Sequence, residues 1–216
     1  MITNLSEKSS LLRVWMREIR DVDMQSDRAR FRQNMERIGE VAAYEISRTL
    51  EYVNLTVQTP MGEAVCSVLK QQPVVAGILR AGIPLQQGVL NYFDQADAAF
   101  IAAYRKHHRD GSFEIAQKYL TTPNLNNRIL IIADPMLATG ASLDLSLDAM
   151  LEFGKPEEVH VVTAIASTEG IEYVTRKHPS VHLWTADIDN ELTAKGYIVP
   201  GLGDAGDLSF GSKMQS

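Results

Sequence analysis

Short apolar runs recur along the chain at residues 74–79, 98–104, 129–133, 159–166 and 181–186. Each has the length of a strand. Unbroken apolar character, in place of strict alternation, marks strands buried on both faces. Stretches with helical spacing of apolar positions, at 85–93, 142–153 and 169–177, separate several of these runs. Strand and helix in alternation predict an α/β fold, a mostly parallel sheet flanked by helices. Ligands of such sheets collect at the carboxyl ends of the strands, so the loops there are the places to look for chemistry.

Residues 11–50 read as helical. Leu11, Leu12, Trp15 and Ile19 recur at helical spacing, as do Phe31, Met35, Ile38 and Ala42. The arginines of this region are interleaved with acids, the pattern of a solvated helix face and not of a nucleic-acid patch. Val53, Leu55 and Val57 alternate with polar residues, as in a half-buried strand, and residues 59–62 (TPMG) turn the chain. With no repeat, linker or low-complexity run, residues 1–216 are expected to form one domain. Its first 60 or so residues supply N-terminal helices and a strand.

Composition narrows the class. The 216 residues are 45% hydrophobic with a net charge of −6, which disfavours a nucleic-acid surface. No apolar run approaches the ~20 residues of a membrane span. The first ten residues are polar and unlike a signal peptide, so a cytoplasmic protein is expected. The single cysteine, Cys66, excludes an internal disulfide and is expected to be a buried small residue. The five histidines show no metal-ligand spacing, and no metal-binding residue is assigned. His107 and His108 are expected to be solvated. Asp187 and Asp189 are expected just past a strand end, as capping groups more than as cleft lining.

The densest chemistry lies in residues 128–154, RILIIADPMLATGASLDLSLDAMLEFG. Ile129, Leu130, Ile131 and Ile132 form a buried strand with Asp134 at its carboxyl end. Pro135 has no N–H to continue the ladder. Ala138, Thr139, Gly140, Ala141 and Ser142 are all small. Leu143, Leu147, Met150 and Leu151 then mark a helix closed by Gly154. Small residues between a strand and a helix N-terminus let backbone N–H groups converge on an anion. Thr139 and Ser142 add hydroxyl donors. Asp134 would repel a phosphate but accepts hydroxyls of an attached sugar. An ordinary strand-to-helix turn with Ser142 as N-cap fits the spacing equally well.

Residues 134–142 (DPMLATGAS) resemble the phosphoribosyl-pyrophosphate (PRPP) motif of the uracil phosphoribosyltransferase family, in which Pro135 stands where other phosphoribosyltransferases carry a second acid. Residues 77–82 (GILRAG) resemble the family's second strand-end loop. Residues 196–207 (GYIVPGLGDAGD) resemble its C-terminal base-binding segment. The resemblance runs from about Leu11 onward. It implies a phosphoribosyltransferase-like sheet with a C-terminal base-binding hood, at about 187–216, and a β-arm.

By that resemblance Arg80, Arg105, Asp134, Pro135, Met136, Leu137, Ala138, Thr139, Gly140, Ala141, Ser142 and Asp204 bind PRPP. Ile198, Gly203, Asp204 and Ala205 contact uracil, and Asp204, Arg80 and Arg105 carry catalysis. It further implies UMP formation from uracil and PRPP in pyrimidine salvage, Mg²⁺ carried in with PRPP, and a homodimer or higher oligomer. Some members bind GTP. The physical case agrees for Arg80, since a guanidinium grips an anionic leaving group bidentately. A glycine-rich loop exposes backbone groups, and two N–H groups flanking a C=O would match uracil's O2–N3–O4 edge while leaving cytosine unpaired. Three positions depart from the family pattern: Ala141 for a second glycine, Leu208–Ser209 for a basic residue, and residues 107–113 (HHRDGSF) for an acidic stretch. Two rivals remain, a non-catalytic uridine-nucleotide-binding regulator and a transferase for another base.

Overall fold

A computed structural model describes residues 1–107 and 113–213; for 103–107 and 113–118 it describes the backbone alone. In chain order the elements are β1 (Ile2–Asn4), α1 (Leu11–Arg20), α2 (Arg28–Ser47), β2 (Tyr52–Thr59), β3 (Gly62–Leu69), β4 (Val74–Ile78), α3 (Gly82–Tyr92) and β5 (Asp97–His107). There follow β6 (Phe113–Thr121), β7 (Ile129–Ala133), β8 (Met136–Leu137), α4 (Ala141–Leu151), β9 (Glu158–Ser167), α5 (Thr168–Lys177), β10 (His182–Asp189), β11 (Glu191–Leu192), β12 (Ile198–Val199) and α6 (Ala205–Phe210).

The main sheet runs β1-β10-β9-β7-β4-β5-β6, with β8 beside β9. Its pairs are parallel except β5 with β6. The period-2 alternation of strand side chains divides the core in two. Val75, Ile131 and Ala133 face Phe31, Met35, Ile38 and Leu85 of α2 and α3. Val74, Ala76, Leu130 and Ile132 face Leu143, Leu147, Met150 and Val174 of α4 and α5. The fully buried runs of β4 and β7 are therefore covered from both sides, as their composition requires.

α2 and α3 cross at glycine. A Cβ on Gly88 would lie 1.9 Å from the Glu36 carbonyl oxygen, and one on Gly39 would lie 2.3 Å from that of Leu85. The two backbones touch with no side chain between them, and α3 begins at Gly82, two residues after Arg80.

The structure corrects several sequence expectations. Residues 11–50 are helical as expected except at 21–27, which separate α1 from α2. Asp27 caps α2, accepting from the N–H groups of Ala29 and Arg30 at 3.0 Å, so a new helix starts there. The strand of Val53, Leu55 and Val57 is not half-buried. It pairs with β3 alone in an antiparallel arm, which leaves Val53 45% and Leu55 50% exposed. Cys66 lies on β3 and is exposed, because no core backs the arm. β6 was not foreseen. The ladder broken at Pro135 resumes for two residues as β8, with the Pro135 carbonyl accepting from the N–H groups of Ala164 and Ile165 at 3.1 Å. Gly154 is not the cap of α4: that is Glu152, and Gly154 follows at φ 138°. Asp187 and Asp189 lie inside β10, not past its end.

Candidate active site

β4 and β7 are neighbours in the sheet, so the segments after them emerge side by side. A Cβ on Gly82 would stand 2.6 Å from the Ala133 carbonyl oxygen, which shows how closely the two strand ends approach. Arg80 follows β4 and Asp134 follows β7.

The 134–142 loop is held by backbone physics. The Asp134 N–H donates to the Val162 carbonyl at 3.1 Å, and one Asp134 oxygen accepts from the Met136 N–H at 3.5 Å. Loss of hydration pushes the Asp134 carboxyl up to about 7, and the Met136 N–H offsets little of that. The residue keeps partial exposure while its carboxyl is largely withdrawn from water. Leu137 is buried as the loop's apolar anchor. The Ser167 hydroxyl donates to the Ala138 carbonyl at 2.5 Å and accepts from the Gly170 N–H at 2.8 Å, tying the loop to the start of α5.

Gly140 is the N-cap of α4, at φ 84° with no side-chain capping bond. A Cβ there would be strained by that φ and would meet the Tyr173 ring at 2.8 Å. Ser142 as N-cap is therefore overturned: α4 starts one residue before it, at Ala141. Ala141 takes the helical φ that an alanine needs, for Asn127 is the sole non-glycine at positive φ among the described residues. The first-turn N–H groups of α4 thus open toward the loop, where an anion can use them. The Thr139 oxygen accepts from the Ala141 N–H at 3.4 Å. One turn on, Asp144 accepts from the Tyr173 hydroxyl at 2.8 Å and meets His178 at 2.7 Å, bracing α4 on α5.

The C-terminal segment closes over the same end of the sheet. Ile198 pairs with Leu192, and the side chains of Ile198, Leu202 and Ala205 are buried in the core. Whatever Ile198, Gly203 and Ala205 offer a ligand therefore comes from backbone groups. Gly203 has φ 94°, with open space on its Cβ side until Leu208 at 3.8 Å. Asp204 caps α6, accepting from the N–H groups of Gly206 at 2.9 Å and Asp207 at 3.0 Å. Burial pushes the Asp204 carboxyl up, but the Asp207 N–H, the Lys213 ammonium at 3.3 Å and the Gly206 N–H outweigh it and leave the group below the usual carboxylate value. Arg80 reaches this segment, pairing with Asp207 at 3.1 Å and the Gly211 carbonyl at 3.4 Å. The structure thus brings Arg80 and residues 204–207 together. Arg105 lies on β5, with its side chain outside the described residues, as are His107 and His108.

Sequence reading missed two features. Asp144, Asp148 and His178 converge so that one ligand atom of each lies within 4.8 Å of the others. A separation of 34 residues between Asp144 and His178 gives no spacing to recognise. Asp144 is already engaged by Tyr173 and His178, so the group braces helices. In the sequence Arg20 looks like one of the solvated arginines of residues 11–50. In the structure it joins Asp187, Asp189 and Gly201.

A loop of small residues at a helix N-terminus, a strand-end arginine and a glycine-rich C-terminal segment meet at one end of the sheet, an arrangement suited to a phosphorylated ligand. The fold agrees: a hypoxanthine phosphoribosyltransferase from Staphylococcus aureus superposes with a TM-score of 0.51 at 14% identity, over 74% of this chain and 76% of that one. A sequence profile described as uracil phosphoribosyltransferase matches residues 6–212, and the chain belongs to that family. It is 46% identical over 214 residues to the uracil phosphoribosyltransferase of Porphyromonas gingivalis, covering 99% of each chain. It is 35% identical to that of Pyrococcus furiosus, covering 97% of this chain and 90% of the relative. The AQ2163 protein from Aquifex aeolicus superposes over 100% of both chains with a TM-score of 0.88 at 29% identity.

Proposed function

We propose that this enzyme transfers the 5-phosphoribosyl group of PRPP to N1 of uracil, giving UMP and pyrophosphate in pyrimidine salvage. The observation that supports the reading is the contact of Arg80 with the 204–207 segment, with Arg80 read as the leaving-group cation and that segment as the base-binding loop. The 5-phosphate takes the N–H groups of Gly140, Ala141 and Ser142, replacing the long contact between the Ala141 N–H and the Thr139 oxygen, with the Thr139 hydroxyl as a further donor. The ribose hydroxyls donate to Asp134, and Arg80, with Arg105, neutralises the departing pyrophosphate. Uracil lies on the backbone of Ile198 and Gly203–Ala205. Positioning and leaving-group stabilisation then supply most of the rate.

Asp204 accepts the N1 proton, directly or through water, as the new C1–N1 bond forms. An Asp204→Asn enzyme with an unchanged single-turnover rate would remove that role.

Mg²⁺ fits as a hydrated ion carried on the pyrophosphate. Asp134 has one weak N–H partner, so its oxygens remain open to hydroxyls or to metal-bound water. The ion would neutralise the leaving group. The whole of residues 1–216 acts as one catalytic unit, with 187–216 as the hood, in the cytoplasm. No helix among the described residues is long and apolar enough to cross a membrane. The exposed arm, with Tyr52, Val53, Leu55 and Val65, pairs subunits in a homodimer or larger assembly. Sedimentation of Leu55→Lys should show smaller particles than the parent.

UMP formation from labelled uracil, PRPP and Mg²⁺ tests the reading. UMP binding without turnover would favour a regulator, and turnover of another base alone would change the substrate. The same assay with and without GTP tests whether GTP, suggested as a ligand by the family resemblance, raises turnover.

A further inference from the structure

Arg20 ends α1, and its side chain is 19% exposed. Its guanidinium donates to Asp189 through both terminal nitrogens, at 2.9 and 3.0 Å, to Asp187 at 2.9 Å and to the Gly201 carbonyl at 3.2 Å. Asp189, with an 8% exposed side chain, also accepts from the Gly201 N–H at 2.8 Å. Both backbone groups of one glycine are thus held by one ion pair. Gly201 stands at φ 65°, and a Cβ on it would meet the Ile198 carbonyl oxygen at 2.2 Å, so the loop is folded tightly on itself here. The clamp lies between the two stretches assigned to the base, Ile198 and Gly203–Ala205. The same turn is reached a second way: Gln25 donates to the Arg20 carbonyl at 3.1 Å, while its side-chain oxygen lies 3.9 Å from where a Gly203 Cβ would be.

We infer that Arg20 is a positioning residue for the base-binding loop, locking Gly201 through Asp189 and thereby setting the affinity for the pyrimidine. This rests on the proposed placement of uracil at residues 198–205. The geometry needs a planar fork. A lysine ammonium keeps the charge but cannot span two carboxylates and a carbonyl at once. Without the fork, Asp187 and Asp189 repel each other beside the loop. Arg20 touches neither the phosphate loop nor Arg80, so the effect should fall on one substrate.

The test compares Arg20→Lys with Glu18→Gln on the same helix. Glu18 accepts from Arg30 at 2.7 and 2.8 Å and from Asn34 at 2.7 Å, and serves only to join α1 to α2. Arg20→Lys is expected to raise the KM for uracil about tenfold, with the KM for PRPP and kcat at saturating uracil within about twofold. Amide hydrogen exchange at residues 198–205 should quicken in the same variant. Glu18→Gln should lower Tm without splitting the two KM values. Joint rise of both KM values in Arg20→Lys, or no change in uracil KM and in exchange, overturns the inference. Should Arg20→Lys fail to fold, Asp189→Asn keeps an oxygen toward Gly201 and should show the same split at about threefold; an unsplit KM there overturns it equally. If the parent enzyme makes no UMP, the uracil assignment fails by itself, and exchange at 198–205 alone decides the clamp.

Discussion

The 134–142 loop, proposed for the phosphate, and the 198–205 loop, proposed for the base, are both short, glycine-bearing and placed at the same end of the sheet, yet they are held by different means. Residues 134–142 are fixed by what immediately precedes and follows them, a buried strand and a helix N-terminus, with Ser167 as the added tie. Residues 198–205 have almost no regular structure to lean on: β12 is two residues and α6 six. Their shape comes from outside the segment, from Asp189 at the end of β10 and above all from Arg20, 181 residues before Gly201. A loop built on adjacent elements carries its conformation in its own sequence. A loop built on remote partners does not.

The largest expected effect falls where the two loops meet. Arg80→Ala should lower kcat/KM by about 10²–10³-fold, the loss seen when one preorganised charge-stabilising donor is removed. A loss under threefold in steady-state assays would break the idea that one arginine serves both loops.

The sharpest comparison pairs two glycines. Gly140→Ala forces a Cβ against Tyr173 at positive φ and should raise the KM for PRPP by up to about 10²-fold. Gly201→Ala forces one against Ile198 and should raise the KM for uracil about tenfold instead. If both variants shift both substrates equally, the loops are not separate devices.

Asp134 gives a pH test on the phosphate side. Its folded value, about 7, lies above the usual 3.8, so the folded protein holds a proton that the unfolded chain releases. The stability it contributes is full below 3.8 and is lost as pH rises through about 7. Asp134→Asn should therefore be more stable than the parent at pH 8, by on the order of 2 kcal/mol in denaturant titrations, and equal to it at pH 4. On the proposed reading the ribose hydroxyls donate to the ionised acid, so kcat/KM for PRPP in the parent should climb from pH 6 to 8, and the variant should lose that climb. The smallest effect is expected at Ala141→Gly. Helical φ already suits alanine there, and the change should leave kcat/KM within about twofold.

How much could be read from sequence follows the same division. The unbroken runs of β4 and β7 announced a sheet covered on both faces, and Asp134, Pro135 and the small residues after them announced the loop. Arg80 and the 196–207 segment were legible through their resemblance to a family. Arg20 was not, since an arginine among acids on an amphipathic helix looks solvated until its partners, Asp187 and Asp189, are brought beside it from the far end of the chain. Cys66 and the arm strands misled for a related reason: alternating apolar residues normally face a core of their own chain, and here they face outward. The αL glycine that caps α4 was hidden because Ser142 is the commoner kind of cap.

The glycine crossing of α2 and α3 has a consequence for how this protein can change. Arg80 is carried on the lead-in to α3, and α3 rests backbone to backbone on α2 at Gly39 and Gly88. Neither glycine lies in the 134–142 or 196–207 segments, yet any side chain at either would pry the helices apart and shift Arg80 with them. Libraries seeking a new base preference would look to the exposed positions of residues 196–207, while these two distant positions stay closed, a constraint inherited from architecture and invisible to any search confined to the pocket.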